Sequence, residues 1–440
     1  MRNVVWRSSR HDKAIGRMPV DSVATDTPLL RRVEVSQVQR DERQFFLVKD
    51  PRGVSQQALL VAGHFGPFLA LADGTRTLTE IVEQGRLISG LDVPAPDLRD
   101  LFSQLDQQFM LENDRYRSEL ARQLGVYRNA EFRVPALEGK SYSDDPDELL
   151  DELESFAYGV PTAEVPSGRE LKAIVTPHID FARGGDTYAE LWRKAAPELD
   201  DIELAVVFGT DHNGAGPRLT LTRQSYATPW NILPTDRDLI DKLARILGRD
   251  PEVEDHPFAD EFNHIHEHSI ELASVWLNWA VGDSAVQMLP VLCGSFSQYV
   301  VPDGSLREVT PADHPQIADA IGLLQQVARH RRTVFIAAAD LAHAGPNFGD
   351  PEPFGEVEQD AIERQDRYLL EKVSAGDRDG FLNAVRAAGD ATRICGLAPV
   401  YMAMWAAGKT DGEWLGYRQC PTDEPGGSFV SIAGALLYAP

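Results

Sequence analysis

Leu204-Ala205-Val206-Val207-Phe208-Gly209 runs directly into Thr210-Asp211-His212-Asn213-Gly214, so a short apolar run ends in an acid, an imidazole and a turn. A continuous apolar run of this length, closed by turn residues, fits a strand covered on both faces. Residues 171–176, 287–292 and 333–338 repeat the form. Between the runs, apolar residues recur at helical spacing over 188–196, 238–247, 270–280 and 317–328. This alternation predicts an α/β fold with a mostly parallel central sheet flanked by helices. Ligands of such sheets bind beyond the carboxyl ends of the strands.

The residues following the runs are therefore the ones to read for chemistry. The first run leads into Pro177-His178-Ile179-Asp180, the second into Asp211-His212, and the fourth into Ala339-Asp340-Leu341-Ala342-His343. The stretch His264-Ile265-His266-Glu267-His268-Ser269-Ile270-Glu271 holds three of the eleven histidines, and Ala273, Trp276, Leu277 and Ala280 after it mark a helix anchored in a core. Imidazoles and carboxylates bind divalent metals and move protons near neutral pH. A single histidine is ordinarily a satisfied structural residue, but three strand ends that each deliver an Asp and a His argue for a common site. On a helix His264 and His268 share a face and His266 does not. Cys395-Gly396 sets a thiol before a helical pattern over 398–407, whereas Cys293 at a strand end and Cys420 in a late loop read as small buried hydrophobes.

Composition narrows the function. The 440 residues carry 43 Lys and Arg against 68 Asp and Glu, a net charge of −25, which repels phosphate backbones and anionic membrane surfaces. No nucleic-acid or membrane partner is expected. Three scattered cysteines give neither a disulfide framework nor a CxxC zinc site and suit a reducing cytoplasm. No apolar run approaches the ~20 residues that span a bilayer, and the first twenty residues lack a signal-like apolar core. Gly184-Gly185 and Gly214-Ala215-Gly216 read as turns, not nucleotide loops.

The length suggests more than one domain: a disordered basic tail over 1–29, a small domain over 30–122 and an α/β domain over 123–440. In the small domain, strands are expected within 32–48, a helical region near 57–72, a turn at Asp73-Gly74-Thr75 and a capping box at Thr77-Leu78-Thr79-Glu80. Leu98, Leu101, Phe102 and Leu105 mark an amphipathic helix, and Phe109-Met110-Leu111 a strand leading into a wing. Small helices with a final hairpin look like a winged-helix module, and Leu71–Leu78 with Ile81 resembles PqqD-like peptide-recognition domains. That likeness implies a peptide docking on this domain. Residues 143–154 carry seven acidic residues with leucines at 149, 150 and 153, a solvated amphipathic helix.

From about Arg133 onward the chain resembles the MEMO family, protein B of the AmmeMemoRadiSam group, related in fold to class III extradiol dioxygenases. The matching residues are Arg133-Val134-Pro135 with Gly139 and Tyr142, Pro177-His178, Gly209-Thr210-Asp211-His212, Thr228-Pro229 with Asp236, Glu267-His268-Ser269-Ile270-Glu271, Asp340-Leu341-Ala342-His343, and Cys395-Gly396 with Pro399. Departures at His178-Ile179-Asp180-Phe181 and at Thr210-Asp211 add acids near the site and mark a divergent branch. The resemblance implies that His178, His212 and Cys395 are metal ligands, with His268 and His343 lining the same pocket. It also implies association with a radical-SAM protein and a small companion protein.

Two imidazoles and a thiolate suit iron, copper or zinc, with iron or copper expected ahead of zinc for a redox site. Two histidines with a carboxylate from Asp180, Asp211 or Glu267 would instead form a non-haem iron(II) set. His268 or His343 would act as acid or base, and Asp211 could orient a histidine. Redox or dioxygenase-like chemistry is the first expectation. A metal-dependent hydrolase or extradiol dioxygenase on a small substrate is the alternative, and a non-catalytic peptide- or partner-binding protein is the third.

Overall fold

A computed structural model of the protein describes residues 27–40, 43–160, 169–214, 216–248, 257–301, 309–424 and 426–440. The chain forms two compact units, 1–122 and 123–440. The expected basic tail over 1–29 lies almost wholly outside the described residues.

In the first unit β1 (Glu34–Arg40), β2 (Arg43–Lys49) and β3 (Leu59–Ala62) form an antiparallel sheet in that order, followed by α1 (Leu78–Ser89) and α2 (Ala95–Gln107). Thr77 caps α1 as its spacing predicts: its side chain accepts the Glu80 N–H, and Glu80 Oε2 accepts the Thr77 N–H at 2.7 Å. Leu98, Leu101, Phe102 and Leu105 turn one face of α2 into a core shared with Val48, Phe68 and Ile81. Two expectations fail here. Within 57–72, Leu59–Ala62 pairs with β2 as a strand, and only single turns of helix follow, at Gly63–Phe65 and Gly66–Leu69. No strand or wing forms at 109–111. Arg31 Nε donates to Phe109 O at 2.7 Å, Leu111 makes one isolated bridge to Leu30, and the chain enters α3 (Asp114–Asn129). The strands of this unit thus precede its helices.

The second unit continues with α4 (Pro146–Ala157), β4 (Leu171–Thr176), α5 (Phe181–Ala195), β5 (Leu204–Thr210), β6 (Leu219–Leu221), α6 (Arg237–Leu247), the single turn α7 (Asn263–His266), α8 (Ser269–Val281), β7 (Gln287–Cys293), α9 (Pro315–Ala328), β8 (Thr333–Ala338) and β9 (His343–Ala344). It ends with α10 (Glu356–Ser374), α11 (Arg378–Ala387), α12 (Leu397–Ala407), β10 (Asp411–Pro421) and β11 (Phe429–Tyr438). The sheet runs β9-β11-β4-β8-β5-β7-β6, with β10 also on β11, and its centre β4-β8-β5-β7 is parallel. Strand residues alternate between two cores. Leu204, Val206 and Phe208 pack with α6, α9, α11 and α12, while Ala205 and Val207 pack with α5 and α8.

The sequence left β10 and β11 unassigned, so Cys420 lies in a strand and not in a loop. Gly184-Gly185 is no turn but lies inside α5, which Asp180 caps and which starts at Phe181, seven residues before the expected start. A Cβ on Gly185 would stand 2.5 Å from the Phe156 ring, so the glycine lets α4 lie close against α5.

Two buried polar groups tie the segment before α4 to the α7–α8 region. Arg133, 1% exposed, pairs with Glu271 at 2.7 Å and donates from Nε to His264 O at 2.6 Å and from Nη2 to Glu267 O at 2.8 Å. Glu271 also accepts the Ala136 and Leu137 N–H groups and the Tyr142 hydroxyl, each at 2.8 Å. Burial alone would raise its pKa, but Arg133 and these donors hold it below the ordinary carboxylate value. His264 is fully buried: Nε2–H donates to Thr220 O at 3.0 Å, and Nδ1 accepts from the Tyr226 hydroxyl at 2.8 Å. Burial disfavours the charged ring and pushes its pKa down to about 3, and in the neutral ring Nδ1 is free to accept from Tyr226.

Removing one partner of a buried pair strands the other charge, so Arg133→Ala is expected to lower stability by about 3–5 kcal/mol. A urea-unfolding change under about 1 kcal/mol would contradict this role. His264 predicts an acid-labile fold. Below its unfolded pKa near 6.5 the unfolded chain takes up a proton that the folded ring refuses, so stability falls as pH drops from there toward 3. His264→Gln flattens that part of the stability–pH curve, and an unchanged slope counts against the assignment.

Candidate functional site

The adjacent strands β4, β8 and β5 end level, with Thr176 beside Ala338 and Ala338 beside Gly209. The side chains that follow therefore meet. His178 Nδ1 lies 3.0 Å from Ala338 O, which fixes the proton on Nδ1 and turns Nε2 toward Cys395 Sγ at 3.3 Å. The His178 N–H donates to Asp340 Oδ1 at 2.8 Å. Cys395 arrives from the far side, just before the Gly396 N-cap of α12. A Cβ on Gly396 would stand 2.5 Å from Asp340 O, so glycine lets the thiol segment press against the end of β8. One donor atom each from His178, His212 and Cys395 lie within 4.8 Å of one another.

Glu267 governs the His212 ring. Its Oε1 lies 3.0 Å from His212 Nδ1 and accepts the His268 and Ser269 N–H groups at 2.8 and 3.1 Å, while Oε2 accepts the His212 N–H at 3.0 Å. Burial would raise its pKa, but His212 and these donors hold it well below the carboxylate range. His212, Glu267 and His268 also fall within ligand reach of one another. With the Glu267 oxygens already occupied by N–H donors, however, the carboxylate is committed to orienting His212.

His268 stacks on His212 with centroids 4.8 Å apart and stands 5.4 Å from His178. Burial pushes its pKa down to about 4. His343, edge-on to Phe348, behaves oppositely: burial opposes its charge, but the Cys395 sulfur beside it raises its pKa. Burial would push the Cys395 thiol up, yet His178 and His343 bring it well below the usual thiol value. Asp340 and Cys395 likewise raise His178 to about 9 against the effect of burial. The pocket thus favours a thiolate among imidazoles.

His178, His212, Cys395, His268, His343 and Glu267 come together beyond these strand ends. Asp211 is held apart from the rings: its carboxylate accepts from Asn263 Nδ2 at 3.0 and 3.1 Å and from the Asn213 N–H at 3.1 Å, and burial raises it to about 6. Glu267, not Asp211, orients a histidine. Asp180 caps α5 and pairs with Arg183, and His264 belongs to the core. His266 is exposed. Sequence reasoning gave Asp340 no role of its own, although it repeats the Asp-and-His pattern after a strand. It holds the His178 backbone and lies 3.7 Å from His178 Nε2.

A family model described as Memo-like protein matches residues 133–436. A MEMO1 family protein of Aquifex aeolicus is 22% identical over 400 residues, covering 89% of this chain and 96% of that protein. MEMO1 family proteins of Methanopyrus kandleri and Methanosarcina barkeri are 27% and 24% identical over 311 and 307 residues, each covering 69% of this chain and 96% and 97% of theirs. The matched region takes in well over half of the chain and every residue of the cleft, and the protein belongs to the Memo-like family.

Proposed function

We propose that this protein is a metalloprotein that holds one iron or copper ion through His178, His212 and Cys395 and performs redox or dioxygenase-like chemistry on a small substrate. The observation that carries the reading is the Cys395 sulfur, 3.3 Å from an imidazole nitrogen whose ring is fixed by a backbone carbonyl. A thiolate with two imidazoles is a donor set for iron, copper or zinc and a poor one for magnesium or calcium. Asp340 with the thiolate draws a proton onto His178, and Glu267 with the thiolate draws one onto His212, so metal uptake releases protons and weakens as pH falls.

When bound, iron or copper supplies one-electron chemistry and reactivity toward dioxygen. The chain supplies the rest. Glu267 keeps the His212 proton on Nδ1, and Asp340 anchors the His178 backbone. His268, whose burial keeps it neutral at pH 7, is placed to accept a proton from substrate, and His343, beside Cys395 and Asp340, is placed to donate one. Two titratable groups pushed in opposite directions in one cleft suit paired base and acid roles. The reading includes a radical-SAM protein and a small companion as partners, with a peptide docking on the first unit. The same donors suit zinc, and metal-dependent hydrolysis is the second reading.

Elemental analysis of protein purified anaerobically, before and after loading with iron(II) or copper(I), separates these readings. Near one equivalent of iron or copper supports redox chemistry, and zinc alone supports hydrolysis. His178→Ala, His212→Ala and Cys395→Ala each lose bound metal while keeping a cooperative melt; full retention in all three defeats the assignment. Glu267→Gln weakens metal affinity by roughly 10–100-fold, and an unchanged affinity contradicts its orienting role.

A further inference from the structure

Two non-glycine residues with left-handed backbone, Asp390 at φ 49° and Arg393 at φ 54°, stand five and two positions before Cys395. Asp visits this conformation readily, but for Arg it is uncommon, and such residues gather at working sites. Asp390 N–H donates to Val385 O at 3.1 Å at the end of α11, and the segment that follows is bonded both to itself and to His343. Asp390 O accepts the Arg393 N–H and Asp390 Oδ1 the Ile394 N–H, both at 2.9 Å. Thr392 O accepts the His343 N–H at 2.7 Å, and Arg393 Nη1 donates to His343 O at 2.9 Å. Both main-chain polar groups of His343 are therefore bound to the segment that delivers Cys395.

Asp350 completes the link. Arg393 meets its carboxylate with both Nη atoms, and Asp350 Oδ2 also accepts the Gly345 N–H at 2.8 Å. That bond closes the turn carrying Phe348, against whose ring His343 packs edge-on at 5.0 Å. Cys395, His343 and Phe348 are thereby joined through one guanidinium.

We propose that Arg393, braced by Asp350, is a positioning residue that holds the His343 main chain, and through it the His343 imidazole, in place beside the segment that delivers Cys395. This assignment rests on the reading of the cleft as a working site. Arg393 itself touches neither the thiol nor the ring. Its planar fork is what the geometry needs, because a lysine ammonium is a single point charge that cannot span the carboxylate and the carbonyl in one plane.

The test uses the full chain with 15N-labelled histidine and no added metal, each ring signal being assigned by its loss in a single His→Gln variant. Arg393→Ala and Asp350→Asn are expected to shift the His343 ring signals and leave those of His178 in place, with Arg393→Lys behaving like Arg393→Ala. If Arg393→Ala does not fold, Asp350→Asn carries the test. Unmoved His343 signals overturn the proposal, as does an equal shift of every site histidine, which would mark a general structural role. Loading the wild-type chain with cobalt(II) alone separates the two readings: absence of a thiolate–cobalt band defeats the metal assignment and leaves the ring-signal result standing.

Discussion

A buried carboxylate must be surrounded by donors, because an uncompensated charge in the interior costs several kcal/mol. For Glu267 those donors come from two places: the ring and backbone of His212 beyond β5, and the backbone N–H groups of His268 and Ser269 at the start of α8. Meeting that demand fixes α8 against β5. The Ser269 hydroxyl, donating to Thr210 O at 3.0 Å, strengthens the same joint, and Arg133 bonds the Glu267 carbonyl from behind. The orientation of His212, and with it the shape of the donor set, follows from satisfying one acid.

The apolar runs at 171–176 and 333–338 are strands at those bounds, and those at 204–209 and 287–292 extend by one residue. These strands are buried on both faces, so the pattern needs no knowledge of neighbours. The edge hairpin of β10 and β11 was not legible. β10 mixes Trp414, Tyr417 and Leu415 with Glu413 and Arg418, and only its antiparallel partner makes it a strand. Likewise, the spacing of His264 and His268 suggested one helical face, but Glu267 is extended at ψ 130° and breaks the helix between them. One histidine turns into the core and the other into the cleft.

Which residues converge was readable from the repeated Asp and His after strands, because level strand ends in a parallel sheet bring such residues together. Which carboxylate serves which ring was not. Asp211 precedes His212 in sequence yet turns to Asn263, while Glu267, fifty-five residues away, takes the ring. The bond from Arg393 to the His343 carbonyl was equally hidden, since it depends on a left-handed backbone that no local motif announced.

The site unites a thiol pulled toward its anion, two imidazoles anchored through their Nδ1 atoms, and two further histidines biased in opposite directions. The central claim is that this sulfur and two ring nitrogens bind one metal ion. X-ray absorption of the iron- or copper-loaded protein tests it most directly. The account predicts one sulfur scatterer near ~2.3 Å with nitrogen scatterers near ~2.0–2.1 Å, spacings typical of such donors, with the sulfur shell lost in Cys395→Ala. A shell of nitrogen and oxygen alone, or a sulfur shell that survives that substitution, would contradict it.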